Sequence, residues 1–454
     1  MRTQWLGLAL LLMSARASAE EAIPTISLPD AIAHARAHHP EVRASLARVA
    51  AQEKAAWVPR SQWLPSLGLT ARLFIGTANN TTATPIGVPV LDLPRIGGTR
   101  AVSPGTFEPS ASTLAAIGAS QEVFDFGRIA AQSAAEDALV DVERQRARGR
   151  DLDVAFDVEE AYFAVLTAKE VVRSADDAWD RTRTHRDFAK AGVDAQVRSP
   201  IDLTRAEAEL AKLDVARASA RGGLASSRAV LAAATGWDGP ALDAAGVPAE
   251  ARPIATLDEA LRLGAARDPS VLEAKARVRA EEERTRAIGA EMRPDLFLTT
   301  TFSGRAGGAP PSSGPSADYG GWVPYVPNWD VGLVLSWPIL DATVLARKSA
   351  SRAREDVRRE ELALARRDED VRVREAWLGV EIARVALPAL ERAVVAAQAN
   401  WAQADARFKS GLGTSVEIAD AEDVRASAEV ALALGRFGLA RAQAGLGRAI
   451  AEAP

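Results

Sequence analysis

The spacing of apolar residues changes twice along the chain, each time directly after a proline. Residues 60–74 read RSQWLPSLGLTARLF: the Ala- and Arg-rich sequence before Pro65 is typical of a helix, whereas apolar and polar residues alternate after it. Residues 289–303, GAEMRPDLFLTTTFS, repeat this change after Pro294. Proline ends a helix because it has no N–H to donate and favours an extended conformation in the preceding residue. Both segments therefore predict a helix followed by a strand.

The chain is self-similar. SLPDAI at 27–32 matches TLDEAL at 256–261, and the same shift along the sequence aligns Pro40 with Pro269. Each of these segments opens with a capping box, in which a hydroxyl and a carboxylate satisfy free amides at the start of a helix. Later matches pair SQEVFD at 120–125 with SWPILD at 336–341, and FAKAGVDAQVRSPIDL at 188–203 with FKSGLGTSVEI at 408–418. We interpret the chain as a tandem duplication.

The repeat predicts the domain organisation and the main helices. The predicted divisions are a signal peptide over 1–19, a first structural repeat over 20–247 and a second over 248–454. The predicted helices cover 28–62, 128–190, 199–236, 257–292, 343–409 and 415–451. A helix of ~60 residues extends ~90 Å, which exceeds a globular domain and requires neighbouring helices of similar length. Because these helices are rich in alanine on several faces, we expect a sheath or tube of helices.

One strand shows the alternation most clearly. Over 328–339, Trp329, Val331, Leu333, Leu335, Trp337 and Ile339 form one wholly apolar face. The two tryptophans are eight residues apart, or ~26 Å at ~3.3 Å per residue, close to the height of the apolar band between the aromatic girdles of a membrane barrel. The alternative is a half-buried strand in a soluble β-sandwich.

Two long segments favour the membrane interpretation. Residues 77–112 and 305–327 are rich in Pro and Gly, carry few charges, and each join two strands, as the long loops of outer-membrane barrels do. Only about four strands are predicted per chain. Four strands cannot close a barrel or cover their own edges, so we expect several chains to contribute to one barrel.

Composition narrows the function classes. Arg2, an apolar run over 6–13 and Ala17-Ser18-Ala19 predict a cleaved secretory signal, so the mature chain would begin at Glu20. With no cysteine we expect neither a disulfide nor a lipid anchor. The mixed net charge of −5 gives no footprint for nucleic acid. His34, His38, His39 and His185 are the only histidines, and with no H-E-x-x-H motif we predict no metal site and no cofactor.

These features together resemble the TolC, or outer-membrane efflux protein, family. The resemblance rests on LPDAIAHARAHHPEVRAS followed by WLPSLGL, on FSGR and VGLVLSWPILD, and on RFKSGLGTSVEIADAEDVRASAEVALA, in two copies and in the right order. It covers nearly the whole mature chain. It implies an α+β membrane protein: a tandem repeat of long helices forms a periplasmic tunnel, and four strands per chain contribute to a trimeric, twelve-stranded outer-membrane β-barrel.

The resemblance also implies location and partners. The chain would be a homotrimer in the lipid of the outer membrane, with a large periplasmic part. It would serve as a passive exit duct and dock a periplasmic adaptor (membrane fusion protein) coupled to an inner-membrane pump. The short helices near 28–40 and 257–269, with the linker over 236–253, would form a belt around the tunnel. Gly192, Gly411 and Leu412 would lie at the hairpin tips that contact the adaptor, and the two glycines are expected at turns on local grounds as well.

The periplasmic gate can be assigned only by resemblance. Glu417 and Asp420 match the acidic constriction of the family, and Phe408, Gly413 and Asp202 match positions that tether neighbouring helices in the closed state. Phe408 lacks the hydroxyl and Gly413 the guanidinium that such tethers use, which leaves Arg198 or Lys409 as replacements. The alternative for Glu417 and Asp420 is that acids near a helix start simply favour the helix dipole. Glu422 and Asp423 are expected to be ordinary surface acids.

Three classes of function, namely an exit duct, an adaptor or scaffold, and an enzyme, account for different parts of the sequence pattern. An exit duct for tripartite efflux or type I secretion explains both the helices and the strands. A periplasmic coiled-coil adaptor or scaffold explains the helices alone. The sequence has no G-x-S-x-G motif, phosphate loop or cysteine nucleophile, so we predict no enzymatic activity. The cargo is not encoded in any feature of the sequence.

Overall fold

The computed structural model describes residues 23–77, 109–246, 256–307 and 326–452. The predicted signal peptide lies outside the described residues, as do most of the two predicted long loops and part of the predicted belt linker. The chain divides into two compact units. The first lies within residues 1–46, 146–271 and 366–454, and the second within 47–145 and 272–365. Each unit contains segments from both halves of the sequence. The units are therefore not the two predicted structural repeats, whose boundaries remain a prediction.

The described residues form nine helices and six strands. The helices are α1 Leu28–His38, α2 Pro40–Ala55, α3 Trp57–Ser61, α4 Arg128–Asp194, α5 Pro200–Thr235, α6 Leu257–Arg267, α7 Pro269–Ala290, α8 Ala342–Lys409 and α9 Ser415–Ala449. The strands are β1 Thr25–Ile26, β2 Ser66–Thr77, β3 Pro109–Phe124, β4 Asp243–Ala244, β5 Asp295–Gly307 and β6 Val326–Ser336. No helix among them combines the length and the apolarity needed to cross a membrane.

The capping boxes begin helices α1 and α6 as predicted. The Ser27 hydroxyl accepts a hydrogen bond from the amide of Asp30 at 3.4 Å, and Thr256 accepts one from the amide of Glu259 at 3.3 Å. The continuous helices predicted over 28–62 and 257–292 are wrong, because each is interrupted one residue before a proline. His39 has φ −62° and ψ 129°, the extended conformation that a following proline favours.

The long helices agree with the prediction to within a few residues. Helix α4 has 67 residues and α8 has 68. Helix α5 ends at Gly236, whose left-handed φ of 67° suits glycine at this position. Helix α8 continues through Pro388, which supplies no amide hydrogen to the helix. A proline inside a long helix therefore does not end α8.

A small two-stranded sheet in the first unit was not predicted. Strands β1 and β4 pair in parallel, with Thr25 opposite Asp243. Asp243 is buried, forms an ion pair with Lys169 at 2.8 Å and accepts a hydrogen bond from Arg228 at 2.8 Å. Burial raises the pKa of Asp243, but these two cations outweigh it and leave that pKa below its ordinary value. Two-residue strands have no periodicity, so the sequence carries no signal for them.

The second unit contains a four-stranded antiparallel sheet in the order β2-β3-β5-β6. Helix α3 ends at Ser61 and strand β2 begins directly after Pro65, while α7 ends at Ala290 and β5 begins directly after Pro294. The two predicted changes from helix to strand are therefore confirmed. The strands also run into both predicted loops, which shortens each loop.

The last strand is shorter at its end than predicted. Strand β6 ends at Ser336, so Trp337 lies just beyond it, whereas the sequence predicted a strand to Ile339. Pro338 has no amide hydrogen for a sheet ladder, which explains the early end. Trp329 lies within the strand opposite Phe302, and both tryptophans are exposed.

The two faces of this sheet are the reverse of those in a soluble sheet. The predicted apolar face of β6 is exposed, with Leu333 67% accessible, and it continues onto β2 through Leu69. The opposite face carries polar groups that are buried, including Thr301, which is 3% accessible, and Glu122. A sheet in water normally buries its apolar face and exposes its polar one. The exposed face of this sheet is therefore the apolar one.

The start of α4 is tied to the same sheet. The Arg128 guanidinium donates to both oxygens of Glu122 at 2.6 Å and to Asp295 at 3.2 Å. The Asp125 carboxylate accepts from the amide of Gly127 at 2.9 Å. Ion pairs and a cap thus fix the first turn of a 67-residue helix against β3 and β5.

Candidate functional site: the ends of the helical hairpins

Helices α4 and α5 form a first hairpin, and α8 and α9 form a second. In the first turn the Gly192 carbonyl accepts from the amides of Val197 at 2.9 Å and Arg198 at 3.1 Å. The left-handed residue of this turn is Gln196, with φ 59°. A Cβ on Gly192 would lie 2.9 Å from Arg198 Cδ. Gly192 thus lies at the predicted turn. Glycine is favoured there because the Arg198 side chain packs closely against it, and not because of a left-handed backbone conformation.

The second turn follows the expected pattern. Gly411 has φ 77°, and the amides of Leu412 and Gly413 both donate to the Arg407 carbonyl at 2.9 Å. This arrangement satisfies a free carbonyl at the end of α8. Leu412 is 75% accessible at this tip, and Val197 is 77% accessible at the other. Each hairpin therefore presents an exposed aliphatic side chain, and Val197 was not among the predicted site residues.

Phe408 joins the two hairpins through its ring and its carbonyl. It is almost fully buried, and the Arg198 guanidinium carbon lies 3.7 Å from the centroid of its ring. Arg198 Nη2 also donates to the Phe408 carbonyl. A cation over an aromatic face is stabilised by the ring quadrupole. Of the two candidates, Arg198 therefore contacts Phe408, whereas Lys409 pairs with Asp405 on its own helix at 2.8 Å.

Asp202 makes the second contact between the hairpins. The buried Ser415 hydroxyl at the start of α9 donates to Asp202 Oδ1 at 2.8 Å. The Arg198–Phe408 contact and this hydrogen bond are together called the hairpin links below. Two of the predicted gate residues, Phe408 and Asp202, therefore take part in them.

Glu417 and Asp420 do not take part in the hairpin links. Both are exposed on α9. Glu417 Oε2 lies 3.3 Å from Arg407 Nε, and the amide of Glu417 donates to the capping Thr414 hydroxyl at 3.3 Å. Within the described residues Asp420 has neither a hydrogen bond nor an ion pair. Of the two carboxylates, Glu417 is therefore paired with a cation and Asp420 is unpaired within the described residues.

The expectation that Glu422 is a surface acid is wrong. Glu422 is 4% accessible and accepts from Arg181 Nη2 at 2.7 Å and Nε at 3.1 Å. Asp423 is exposed but bonded to Lys212 at 2.8 Å. Ile418 and Ala421 are also buried, so Glu422 continues an i, i+3, i+4 stripe on α9. This spacing was the available signal for its burial.

Arg181 belongs to a larger charged network that the sequence did not predict. Glu429 lies 3.0 Å from Arg425 and 3.8 Å from Arg181. The guanidinium carbons of Arg181 and Arg425 lie 5.9 Å and 5.0 Å from the Trp401 ring centroid. Burial raises the pKa of Glu429, but the hydrogen bond from Arg425 and the charge of Arg181 outweigh it, so the pKa lies below its ordinary value.

A cavity of about 460 Å³ lies among these groups. Its walls include Arg181, His185, Phe188, Trp401, Phe408 and Glu422. The His185 ring lies 4.3 Å from the Phe408 ring, edge to face. Burial lowers the pKa of His185 and the charge of Arg198 lowers it further, against the raising effect of Asp405 and Asp202. His185 is thus held neutral beside the Arg198–Phe408 contact.

The sequence pattern of these hairpins and strands can be compared with known families. A model of outer membrane efflux proteins matches residues 31–237 and 260–452. The chain belongs to the outer membrane efflux protein family. This membership confirms the predicted location in the outer membrane and the role in efflux, and it favours a channel over the adaptor alternative. No curated protein matches this efflux protein in sequence.

Solved structures of outer-membrane channels share the fold of this efflux protein. The outer-membrane channel OprN aligns with TM-score 0.73 at 19% identity, covering 94% of this chain and 90% of its own. The outer membrane protein VceC of Vibrio cholerae aligns with TM-score 0.72 at 15% identity, covering 93% and 95%. The open state of the MtrE channel of Neisseria gonorrhoeae aligns with TM-score 0.70 at 21% identity, covering 93% and 88%.

Proposed function

We propose that this efflux protein is the passive outer-membrane exit duct of a tripartite efflux pump or a type I secretion system. The observation that carries the proposal is the four-stranded sheet with an exposed apolar face and a buried polar face. Such a sheet suits a barrel wall that faces lipid outside and water inside. Trp329 and Trp337 would then lie at the two membrane interfaces. No catalytic step or cofactor is part of the proposal.

The open edges of the sheet favour an assembly of several chains, and we propose a homotrimer. Among the described residues, strands β2 and β6 each have a neighbour on one side only. Open edges are not tolerated in a membrane because their amides and carbonyls would lack partners. Joining β2 of one chain to β6 of the next satisfies both edges. Three chains give twelve strands, and their helices would continue as the periplasmic tunnel.

The hairpin ends are proposed to serve as the docking tips and the gate. Leu412 and Val197 are exposed aliphatic residues at the turns, which suits contact with a periplasmic adaptor that couples the duct to an inner-membrane pump. The hairpin links would hold the closed state. Asp420, without a partner inside the described part of its own chain, would supply most of the charge at the constriction, and Glu417 less because Arg407 partly neutralises it.

Crosslinking tests the joined edges, and the chain has no native cysteine to interfere. We would place cysteines at Leu69 in β2 and Val331 in β6, both on the exposed face. Within one chain these strands are three spacings apart, or ~14 Å. A shorter crosslinker should therefore join different chains and yield a covalent trimer on a denaturing gel. Each single-cysteine variant is the control. A product no larger than a monomer, with both cysteines modified, would refute the proposal.

The repeat is proposed to explain how one chain supplies both strand pairs. Residues 20–247 and 248–454 would each contribute two strands to the barrel and one hairpin to the tunnel. This fits the matching starts of α1 and α6, which share capping boxes and a proline-terminated first segment.

A further inference from the structure

The cavity at the hairpin ends contains more functional groups than the hairpin links use. Its lining residues lie on α4, α5, α8 and α9 of one chain. Its volume of about 460 Å³ falls within the range of about 300–1,000 Å³ that is typical of pockets for small molecules. Protein interiors are otherwise close-packed, so a space of this size among helices can accept an occupant. Three kinds of lining group indicate the chemistry of that occupant.

The walls of the cavity are mainly aromatic and aliphatic. The His185 and Phe408 ring centroids are 4.3 Å apart and those of Phe188 and Phe408 are 5.9 Å apart, both pairs edge to face. Trp401 and the buried Ile418 also line the cavity. Water in such a space finds few hydrogen-bond partners, whereas an aromatic ring packs well against other rings in tilted or offset geometry. The walls therefore favour an aromatic occupant.

Two neutral polar side chains of the lining have no partner. Thr182 is 5% accessible, and its hydroxyl makes no hydrogen bond to any described residue. His185, one turn further along α4, has no hydrogen bond at either ring nitrogen among the same residues. A hydroxyl held away from bulk water without a partner costs free energy, and a neutral imidazole donates from one nitrogen and accepts at the other. An oxygen atom on the occupant would give both groups a partner.

One cation at the rim of the cavity is also unpaired. The three carboxylates of the lining each pair with a cation, Glu422 with Arg181 at 2.7 Å, Asp405 with Lys409 at 2.8 Å and Glu209 with Lys212 at 3.1 Å. Arg205 lines the cavity from α5, is exposed, and forms neither an ion pair nor a hydrogen bond within the described part of the chain. A guanidinium can donate two parallel hydrogen bonds to a carboxylate. Arg205 therefore gives the cavity an unfilled position for an anionic group.

We propose that this cavity binds a small aromatic carboxylic acid, with its ring among Phe188, Trp401 and Phe408 and its carboxylate on Arg205. Thr182 and His185 bond to an oxygen substituent at the far end of the ring system, because Thr182 is buried whereas Arg205 lies at the exposed rim. Binding does not depend on the proposed duct function, since every group of the site belongs to one chain.

The test uses the full mature protein in lipid nanodiscs, with empty nanodiscs as the background because aromatic acids partition into lipid. The probe is a hydroxynaphthoate whose hydroxyl lies at the far end of the ring system from the carboxylate. Isothermal titration calorimetry should show one saturable site per chain. The neutral amide of the same ring system should bind about tenfold more weakly, because it forms no charge-assisted pair. The saturated decalin analogue should also bind more weakly, since it has no aromatic face.

Four variants assign the contacts. Arg205→Gln should weaken binding of the acid by about tenfold and leave binding of the amide unchanged, because only the acid uses the charge. Thr182→Val should remove the advantage of the hydroxynaphthoate over unsubstituted naphthoate. Ala206→Leu should abolish binding, since Ala206 is a buried lining residue and the larger side chain takes up the space. The matched control is Arg183→Gln, an exposed arginine of α4 outside the lining, which should bind as the wild type does.

Circular dichroism and size-exclusion chromatography establish that the variants keep their fold, and Ala419→Leu is the second cavity-filling substitution if Ala206→Leu does not fold. The proposal is refuted if there is no saturable binding above that of empty nanodiscs, or if Arg205→Gln or the cavity-filling variant binds like the wild type. Equal binding of the decalin analogue would show a site for aliphatic chains instead. Equal weakening in Arg183→Gln would show general attraction of an anion to the hairpin surface, and either result also overturns the proposal.

Discussion

Replacing Arg198 with alanine should weaken the closed state of the duct. The change removes the hydrogen bond to the Phe408 carbonyl and the cation above the Phe408 ring at 3.7 Å. A hydrogen bond from a charged group contributes about 1.5–3 kcal/mol and a cation–π contact about 0.5–2 kcal/mol. Because Arg198 is half-buried and water can replace part of both, we expect a loss of about 2 kcal/mol per chain.

That loss corresponds to a roughly 30-fold shift toward the open state for each chain, since 1.4 kcal/mol is a factor of ten. The assay is single-channel recording in planar bilayers, with the fraction of time spent open as the readout. Arg198→Lys should lie between the wild type and Arg198→Ala, because lysine keeps the charge but loses the planar stacking group.

The control is Lys409→Ala at the neighbouring hairpin end. Lys409 is exposed and, within the described part of the chain, pairs only with Asp405 on its own helix at 2.8 Å, an interaction that contributes about 0–1 kcal/mol. Its removal should leave the open fraction nearly unchanged. If Arg198→Ala gates like the wild type, or if Lys409→Ala opens the duct to the same extent, the contact with Phe408 does not hold the closed state.

Three further outcomes are expected. Leu333→Arg should impair membrane assembly by about 2–4 kcal/mol, as a lipid-facing cation does at the midplane. Val334→Arg, on the opposite face, should have a mild effect. The heat-dependent shift in mobility on denaturing gels measures the assembly of both variants. Asp420→Asn should abolish the block of conductance by a trivalent cation applied from the periplasmic side, and Glu417→Gln should weaken that block less. Equal weakening in the two variants would contradict the proposal that Asp420 supplies most of the charge. The pKa of His185 is lower in the folded protein than its ordinary value of ~6.5, so protonation favours the unfolded state. The hairpin ends should therefore lose stability as the pH falls below ~6.5. Melting curves recorded at several pH values should show this dependence in the wild type and not in His185→Gln.

The features predicted correctly depend on local signals. Pro65 and Pro294 mark the changes to strand because a missing amide acts within one or two residues of its position. The long helices were predicted within a few residues because their caps and turn glycines, such as Gly411, are also local. Strand β6 was predicted from strict alternation, and it ended early only where Pro338 interrupts the ladder.

The features predicted wrongly or not at all depend on contacts distant in sequence. Glu422 continues the buried stripe of Ile418 and Ala421, but a carboxylate is stable there only because it pairs with Arg181, 241 positions away, and that partner has no signal in the local sequence. Arg198 was one of two candidates, and the choice between it and Lys409 required knowing which side chain reaches Phe408. The proposed gate roles of Glu417 and Asp420 would depend on contacts between chains, for which the sequence carries no local signal.

The inverted faces of the sheet have a consequence for biogenesis. A chain newly exported into the periplasm would present Leu69, Leu333 and Trp329 to water along with two unpaired strand edges, a combination that promotes aggregation. With the proposed trimer, we therefore expect the strands to be shielded by a chaperone during transit and to fold only where lipid and two further chains are present together. The helical hairpins have no unpaired strand edges, because the backbone hydrogen bonds of a helix are made within it, and they can form earlier. Maturation of this protein would then be limited by an encounter among chains at the membrane, so its rate should rise steeply with expression level.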